Sequence, residues 1–228
     1  MNNLIQLFQL VDSSLPIGGF VYSMGMESAI KSKLLQNETD LKRYLIAYTD
    51  QLISFEFPFL DAGFENAHDP KKWHEIMATY KAMLMNPNLE KSALVLGKNW
   101  SRLLFSLYNN DAIVDLKNQL KKQDTPLYFT IIFGMFMQVL NINIIEARSM
   151  YLYTAIRDQI TALTRLGIVG PTGGQGLLTY VLEQAYLKNE AYQTTPYEKA
   201  TKSAYIMEIT QLNHDKVYSK LFLSLIHI

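Results

Sequence analysis

Apolar residues recur at intervals of three and four along most of the chain, which is the spacing of one face of an α-helix. One such run covers residues 40–65, with apolar side chains at Leu41, Leu45, Tyr48, Leu52, Phe55 and Phe59. Pro58 lies inside this run, and a proline removes a backbone donor and clashes with the preceding helical turn. We therefore expect this helix to be kinked or divided near residue 58.

Capping residues followed by proline predict where two further helices begin. Asp69-Pro70 places a capping side chain before a proline at the first helical position, so we expect a helix from there to about Met85. Asn86-Pro87 repeats the pattern and predicts both the end of that helix and a following one that runs to Tyr108.

Two capping boxes predict helices in the second half of the chain. Thr195-Pro196-Tyr197-Glu198 is the stronger signal, because it has a proline at the first helical position, and it predicts a helix to about Leu212. Asn143 and Glu146 have the same spacing and open a long amphipathic run, whose apolar side is formed by Ile145, Leu152, Ile156, Ile160 and Leu163.

Signals for β-strands are scarce, and the chain has no fixed-period repeat, low-complexity segment or linker rich in Pro, Gly and Ser. The connections between predicted helices are short, which favours antiparallel packing of neighbours. We expect an all-α fold, with one domain over residues 1–228 built as a bundle of about eight to ten helices. Residues 12–23 and the tail after about residue 214 are expected to be irregular, and the tail to be flexible until bound.

The composition excludes several classes of site. The 228 residues include no cysteine, which excludes disulfide scaffolds, thiolate zinc sites, iron–sulfur clusters and cysteine nucleophiles. Equal numbers of basic and acidic residues, 21 of each, argue against a nucleic-acid binder, which needs a basic surplus or stripe. Charged residues make up 18% of the chain and apolar residues 49%, so either the core is well filled or other chains cover part of the surface.

One segment raises the question of a membrane span. Residues 125–145 carry no charge and are long enough to cross a bilayer, but Asn141 and Asn143 interrupt the apolar run. A buried core helix from Pro126 to about Leu140 is the favoured interpretation, and a spanning helix is the alternative. The N-terminus lacks the basic segment and cleavage site of a signal peptide, so we expect a cytoplasmic protein with no membrane segment.

Motifs for nucleotide or metal chemistry are missing from the sequence. There is no phosphate-binding loop of the G-x-x-x-x-G-K-[ST] type. The four histidines, His68, His74, His214 and His227, lack the spacing of metal ligands. We therefore expect no catalytic residue, no metal site and no cofactor on this chain.

Two glycine-containing loops and the tail are candidate interaction segments. In the first loop, Leu15-Pro16-Ile17-Gly18-Gly19-Phe20, the glycines permit positive φ and the proline stiffens the entry. In the second, residues 170–176, Thr172 and Gln175 have capping-box spacing; the alternatives are a plain helix start and a phosphate site at a helix N-terminus. The tail, residues 214–224, mixes basic and aromatic residues and either folds back on its own domain or docks on a partner.

In this order, on a helical chain of this length, these segments resemble the UreF family of urease accessory proteins. The resemblance rests on three motifs that together span nearly the whole chain. They are Leu10-x-Asp12-Ser13-x-Leu15-Pro16-Ile17-Gly18-Gly19-Phe20-x-Tyr22-Ser23-x-Gly25-x-Glu27, then Asp158-Gln159-Ile160 and Arg165-Leu166 leading to Gly170-x-Thr172-x-Gly174-Gln175, and finally His214-x-x-x-Tyr218-Ser219-Lys220-Leu221-Phe222-x-Ser224.

The resemblance implies a non-catalytic, all-α assembly factor for nickel urease that forms homodimers. Such proteins bind the accessory protein UreD, called UreH in some systems, and the complex then receives the nickel-carrying GTPase UreG and docks on apo-urease. The implied role is to regulate the GTPase and help pass Ni²⁺ into urease, with the GTP site and the principal nickel ligands on the partners. The alternative is a helical enzyme, or a GTPase activator that supplies a catalytic arginine.

Carried over position by position, the resemblance implies that the tail from Tyr218 to Phe222 contacts the UreD-type partner. The segment Pro16–Glu27 and the turn Thr172–Gln175 would shape a surface that faces partners or the dimer mate. Arg165 is expected in a buried or interface ion pair, or as an arginine offered to the GTPase. The predicted partner-binding residues are Pro16, Gly18, Gly19, Phe20, Tyr22, Ser23, Glu27, Arg165, Thr172, Gly174, Gln175, His214, Tyr218, Ser219, Lys220, Leu221 and Phe222.

The sequence departs from the family pattern at three of these places. Lys220 and Leu223 stand where relatives commonly carry Arg, and neither side chain forms the bidentate contact of Arg. Pro171 stands where Gln is frequent, which fixes φ and removes a side-chain donor. The two tail substitutions put the strength of tail docking in question.

Overall fold

The computed structural model describes residues 3–18 and 25–212, and within them the secondary structure is helical, with no strand. This confirms the predicted all-α fold. The elements in chain order are α1 (Asn3–Leu10), α2 (Met26–Lys31), α3 (Glu38–Gln51), a π-helical segment (Leu52–Glu56), α4 (Phe57–Glu65), α5 (Pro70–Leu84), α6 (Pro87–Leu107), α7 (Asp111–Lys122), α8 (Phe129–Val139), α9 (Ile144–Arg165), α10 (Pro171–Ala191), a 3₁₀ turn (Tyr197–Lys199) and α11 (Tyr205–Leu212).

Three of the predicted helix starts are confirmed by side-chain caps. The side chain of Asp69 accepts a hydrogen bond from the Lys71 amide before α5, and Asn86 caps α6 in the same way. Asn143 accepts from the Glu146 amide at 2.9 Å at the start of α9. α7 is not among the predicted helices, although Asn110 caps it with a 3.0 Å bond from the Ile113 amide.

The helix predicted over residues 40–65 is divided just before Pro58, as expected. α3 leads into the π-helical segment, and α4 then begins with Pro58 in its first turn. Because Pro58 has no backbone N–H, the carbonyl of Ser54 four residues earlier lacks its usual helical donor. That carbonyl accepts a hydrogen bond from the Thr201 amide at 2.9 Å instead.

Two details of the predicted core helices are wrong. α8 begins at Phe129 and not at Pro126, because Tyr128 adopts an extended backbone that buries its ring beside Tyr80, with ring centroids 5.2 Å apart. On α9, Ile145 is 56% exposed and does not belong to the buried side, whereas the other four predicted core residues of that helix are buried.

The helix predicted from Thr195 to about Leu212 has the wrong start, because continuous helix is found only over Tyr205–Leu212. Only a 3₁₀ turn follows Pro196, and the Thr195 hydroxyl donates to the Gln193 carbonyl and does not cap a helix. Helix resumes at Tyr205 because the intervening backbone bonds elsewhere: the Thr201 amide donates to Ser54, and the Ala204 amide donates to the Gln51 side chain at 2.7 Å. These hydrogen bonds to residues 51 and 54 accompany the non-helical backbone between the 3₁₀ turn and α11.

The described residues form two compact units. The first contains residues 3–18, 55–148 and 193–200, and the second contains residues 25–54, 149–192 and 201–212. The one-domain organisation over residues 1–228 stays a prediction.

The first unit is built on a close contact between α4 and α8. Gly63 of α4 faces the Ile131 carbonyl of α8, and Gly134 of α8 faces the Leu60 carbonyl of α4. A Cβ at either glycine would lie 2.2–2.3 Å from the opposing oxygen, so neither position admits a side chain. The two glycines therefore set how closely the two helices approach.

A buried ion pair ties the start of α9 to α4 in the same unit. Arg148 donates to both carboxylate oxygens of Asp61, at 2.8 and 2.6 Å, and also to the Thr194 hydroxyl at 3.1 Å. The two charged side chains are 8% and 3% exposed. The bidentate geometry offsets much of the cost of removing both charges from water.

Two carboxylates of the first unit accept hydrogen bonds from buried tyrosines. The Tyr80 hydroxyl and the Thr130 hydroxyl both donate to Glu56, and the Tyr128 hydroxyl donates to Glu90 at 3.0 Å. Burial raises the pKa of Tyr80 well above its usual value and also raises the pKa of Tyr128. Both hydroxyls therefore stay protonated and act as donors at neutral pH.

The second unit packs α10 against α3 and α11 against α2. An ion pair joins Lys188 of α10 to Asp50 of α3, and the Lys42 ammonium lies 4.9 Å from the centre of the Tyr180 ring. Asn189 of α10 donates to the Ser149 hydroxyl of α9 at 3.0 Å. These contacts hold α10 between its two neighbours in the chain's second unit.

We expect Asp61→Ala to destabilise the protein by about 3–5 kcal/mol, because it leaves Arg148 buried without its carboxylate. The free energy of unfolding from urea denaturation measures this. Asp50→Ala is the matched control, since it breaks a partly exposed pair worth below about 1 kcal/mol. Equal losses in the two variants would contradict the importance of the buried pair.

Gly134→Ala should cost about 3 kcal/mol, because the new methyl group would overlap the Leu60 carbonyl of α4. The control is Gly173→Ala on α10, where nothing lies within 4 Å of an added Cβ and the helix should gain up to about 1 kcal/mol. Thermal unfolding of both variants distinguishes the two cases. A Gly134→Ala protein as stable as the wild type would rule out the proposed close contact.

Candidate partner-binding surface

Part of the predicted partner-binding set lies outside the described residues. These residues are Gly19, Phe20, Tyr22, Ser23, His214, Tyr218, Ser219, Lys220, Leu221 and Phe222. The remaining predicted residues fall into two groups along the chain. One comprises Pro16, Gly18 and Glu27, and the other comprises Arg165, Thr172, Gly174 and Gln175.

The first loop begins as a turn held against α6 in the first unit. The Ser14 amide donates to the Asp12 side chain at 2.7 Å, which forms the turn. Ile17 is buried, and its carbonyl accepts from the Asn99 side chain at 3.1 Å. Pro16 stays exposed, and Gly18 has a positive φ of 84°, which favours glycine. The turn therefore presents Pro16 to solvent from an anchored backbone.

α2, which follows the same motif, packs on α11 through Gly25. This glycine has φ of 90°, and a Cβ there would lie 2.6 Å from the Thr210 hydroxyl of α11. Glu27 is fully buried, and its carboxylate accepts from Lys31 at 2.9 Å. Any contribution of Glu27 to partner binding is therefore indirect, through the position of α2.

α11 leaves a row of large apolar side chains in solvent. Its buried side consists of Met207, Thr210 and Gln211. On the opposite side, Tyr205, Ile209 and Leu212 are 65%, 53% and 52% exposed, and Ile206 beside them is 44% exposed. We call these four residues the α11 apolar face. Monomeric proteins in water rarely expose a contiguous apolar patch of large side chains unless the patch binds a partner or a ligand.

The predicted residues around the second loop form the corner between α9 and α10. α9 ends at Arg165, and Gly167 with φ of 70° reverses the chain. α10 begins at Pro171 after Gly170, and no side chain caps it. α10 therefore begins before Thr172, so the capping-box spacing of Thr172 and Gln175 marks only a plain helix start, and both side chains are exposed in its first turns.

Gly174 allows the start of α10 to lie against the end of α9. It is buried, and a Cβ there would lie 3.0 Å from the Thr164 hydroxyl and 3.4 Å from Ile160. Next to this contact is a cavity of about 460 Å³. Its lining includes Arg157, Thr161, Thr164, Pro171, Thr172 and Gln175.

The floor of this corner carries a partly buried ion pair. Arg157 donates to Asp158 at 2.8 and 3.1 Å, and its guanidinium lies 5.6 Å from the centre of the Tyr153 ring. Burial raises the pKa of Asp158, and the neighbouring Arg157 opposes that shift. The pair places one positive side chain at the edge of the cavity.

Arg165 is exposed, so the buried alternative for this arginine is wrong. The arginine of a buried ion pair is Arg148, at the other end of α9. Arg165 is also not among the residues that line the cavity, whereas Thr172, Gly174 and Gln175 are brought together there.

Sequence reasoning missed the role of Gly25 and the α11 apolar face. Gly25 stands inside the first motif, but its positive φ and its close neighbour Thr210, which together require glycine there, are visible only in the structure. The apolar face has a sequence signal, because Tyr205, Ile209 and Leu212 follow four- and three-residue spacing. That signal predicts an apolar side but not whether the side is covered.

The described residues contain neither a cluster of metal-binding side chains nor a helix able to span a membrane. Within residues 3–18 and 25–212, no group of three or more His, Asp or Glu side chains is placed to hold a metal ion. Across the same residues, every helix is too short or too polar to cross a bilayer.

The chain is similar to known proteins along nearly its whole length. A sequence model of the UreF family matches residues 35–181. Urease accessory protein F of Arabidopsis thaliana is 27% identical over 227 residues, covering 95% of this chain and 91% of the relative. Urease accessory protein UreF of Bacillus sp. (strain TB-90) is 25% identical over 98% of this chain and the whole relative, and the protein from Oryza sativa subsp. indica is 26% identical over 94% of this chain and 83% of its own length. The chain therefore belongs to the UreF family.

Proposed function

We propose that this protein acts in urease maturation as an assembly factor without catalytic activity of its own. Relatives in plants and bacteria are named urease accessory proteins, which supports a role in urease maturation. In the finer proposal, the chain binds a UreD/UreH-type accessory protein and a UreG-type GTPase, works as a cytoplasmic homodimer, and assists nickel insertion into apo-urease. Nickel is the cargo of this process, and the chain supplies binding surfaces.

The α11 apolar face is the observation that carries the proposal. Four large apolar side chains on one short helix are costly to leave in water, and they suit the apolar centre of a protein interface. The face also lies immediately before the tail motif in the sequence. We propose that the UreD-type partner covers the α11 apolar face and the tail residues Tyr218–Phe222 as one continuous interface.

The corner between α9 and α10 supports a second interface, for the GTPase. Arg165, Thr172 and Gln175 are exposed there, and Arg157 lines the adjoining cavity. The first turn of α10 contains no acidic residue, so the positive end of its helix dipole is not offset locally. A carboxylate on the partner would be attracted both to this helix end and to the positive charge of Arg165.

An exposed apolar surface on α1, in the first unit, supports the proposed homodimer. Leu4, Ile5 and Phe8 of α1 are all more than half exposed. Together with the low charge of the chain, this second apolar surface favours association over a free monomer. Size-exclusion chromatography with light scattering on the full-length protein measures the dimer directly.

We expect Ile209→Glu to abolish binding of the UreD-type partner, because it places a charge in the centre of the α11 apolar face. A full-length chain and a version ending at Leu212 are compared with the variant by size-exclusion chromatography with light scattering. Ile145→Glu is the matched control, since Ile145 is also an exposed helical isoleucine on another part of the chain. Retention of the partner by Ile209→Glu, or its loss in the control, would contradict the interface.

Arg165→Ala tests the GTPase interface against the alternative of a catalytic arginine. The assembly-factor proposal expects weaker capture of the GTPase by the complex with the UreD-type partner, by about tenfold for one lost charged contact. Arg43→Ala, at an exposed arginine of α3, should leave capture unchanged. If the GTPase is still captured but stimulated GTP hydrolysis falls by about 10³ or more, Arg165 is a catalytic arginine and the alternative holds.

A further inference from the structure

α6 carries a row of positively charged side chains, and none of them is among the predicted partner-binding residues. Lys91, Lys98 and Arg102 are exposed, and they stand at relative positions 0, 7 and 11 on the helix. With about 100° per residue, the three side chains fall within an arc of about 40°. They extend along about 16 Å of one side of α6.

α7 adds a fourth cation to the same side. Phe105 lies three residues after Arg102, which keeps it on the charged side of α6. The ammonium of Lys117 lies 5.6 Å from the centre of the Phe105 ring. We call Lys91, Lys98, Arg102 and Lys117 the basic row, which lies along the part of α6 from Lys91 to Phe105, a length of about 21 Å.

No carboxylate of residues 3–18 and 25–212 forms an ion pair with the basic row. Other cations of the described structure do find acidic partners; Lys81 reaches Glu90 at 3.3 Å, and Lys31 reaches Glu27 at 2.9 Å. Positive charge is also concentrated here, because residues 87–122 hold six Lys and Arg against three Asp and Glu, while the whole chain is balanced at 21 of each. The row is therefore a local surplus of positive charge on a neutral protein.

We propose that the basic row is a docking surface for an acidic segment of a partner protein. Four aligned cations repel one another, and an acidic segment along the row would relieve that repulsion. Leu94 and Val95 are half-buried beside the cations, so the matching segment carries apolar residues among its acidic ones. This surface shares no residue with the α11 apolar face or with the α9–α10 corner, and it does not depend on the function proposed for them.

The same observations disfavour a nucleic acid as the occupant. Single strands are held by aromatic rings on which bases stack, but Phe105 packs against Phe136 with ring centroids 5.1 Å apart and is only half-exposed. The neutral chain also lacks the broad positive field that gathers a polyanion over many phosphates. An acidic protein segment of limited length fits four cations over one helix face.

The experiment uses the full-length chain and a fluorescein-labelled peptide in which Glu alternates with Ala and Leu. Binding is measured by fluorescence anisotropy at low and at near-physiological ionic strength. Lys98→Glu/Arg102→Glu should weaken binding by at least about tenfold, because two attractive contacts become repulsive. Lys71→Glu/Lys72→Glu is the matched control, since it makes the same charge change at exposed positions of α5. Both variants should keep their melting temperature within about 2 °C.

Three outcomes would overturn the proposal. The first is no binding of the peptide by the wild type at low ionic strength. The second is an equal loss in the two double variants, which would mean that net charge and not the row attracts the peptide. The third is tighter binding of a single-stranded DNA of the same net charge, lost in Lys98→Glu/Arg102→Glu, which would make the row a nucleic-acid surface. A loss confined to Lys98→Glu/Arg102→Glu and to the acidic peptide supports the basic row.

Discussion

The carbonyl of Ser54 is the point on which the arrangement of the chain's last described segment depends. Pro58 cannot donate to it, so the usual donor four residues later is missing at this point of the helical stretch from residue 38 to residue 65. A buried or half-buried carbonyl must find a donor, and the Thr201 amide supplies it. A local defect in one helix is thus satisfied by a residue far along the chain.

This one bond has consequences for the proposed interface. Thr201 is bound to Ser54 and Ala204 is bound to the Gln51 side chain, and residues 200–204 lie outside any helix. α11 therefore starts afresh at Tyr205 and lies against α2, where Gly25 leaves room for Thr210. A continuous helix from Pro196 would have given Tyr205–Leu212 a different direction from the one observed for α11. The position of α11 in the second unit is thus tied to contacts of Thr201, Ala204 and Thr210 with distant parts of the sequence.

The three proposed binding surfaces on α11, at the α9–α10 corner and on α6 differ in chemistry, and the difference suits the proposed assembly factor. The α11 apolar face offers burial, which favours a stable complex. The α9–α10 corner offers a helix N-terminus and arginines, which favour an anionic partner group. The basic row on α6 offers charge that acts over a longer range and depends on ionic strength. A chain with three such surfaces can hold different partners by different forces, and it needs no reaction centre of its own to do so.

The sequence by itself determined the all-α class, most helix starts and the break near Pro58, because periodicity and capping act within one or two turns. Asp69, Asn86 and Asn143 cap the helices that they predict. The motifs also indicated the family, which the comparisons confirmed. Only the tertiary structure decided that Arg148 and not Arg165 is buried, that Ile145 is exposed, and that the backbone after Pro196 leaves the helix. Each of these depends on which distant group a side chain or amide meets, and a local pattern carries no information about that choice.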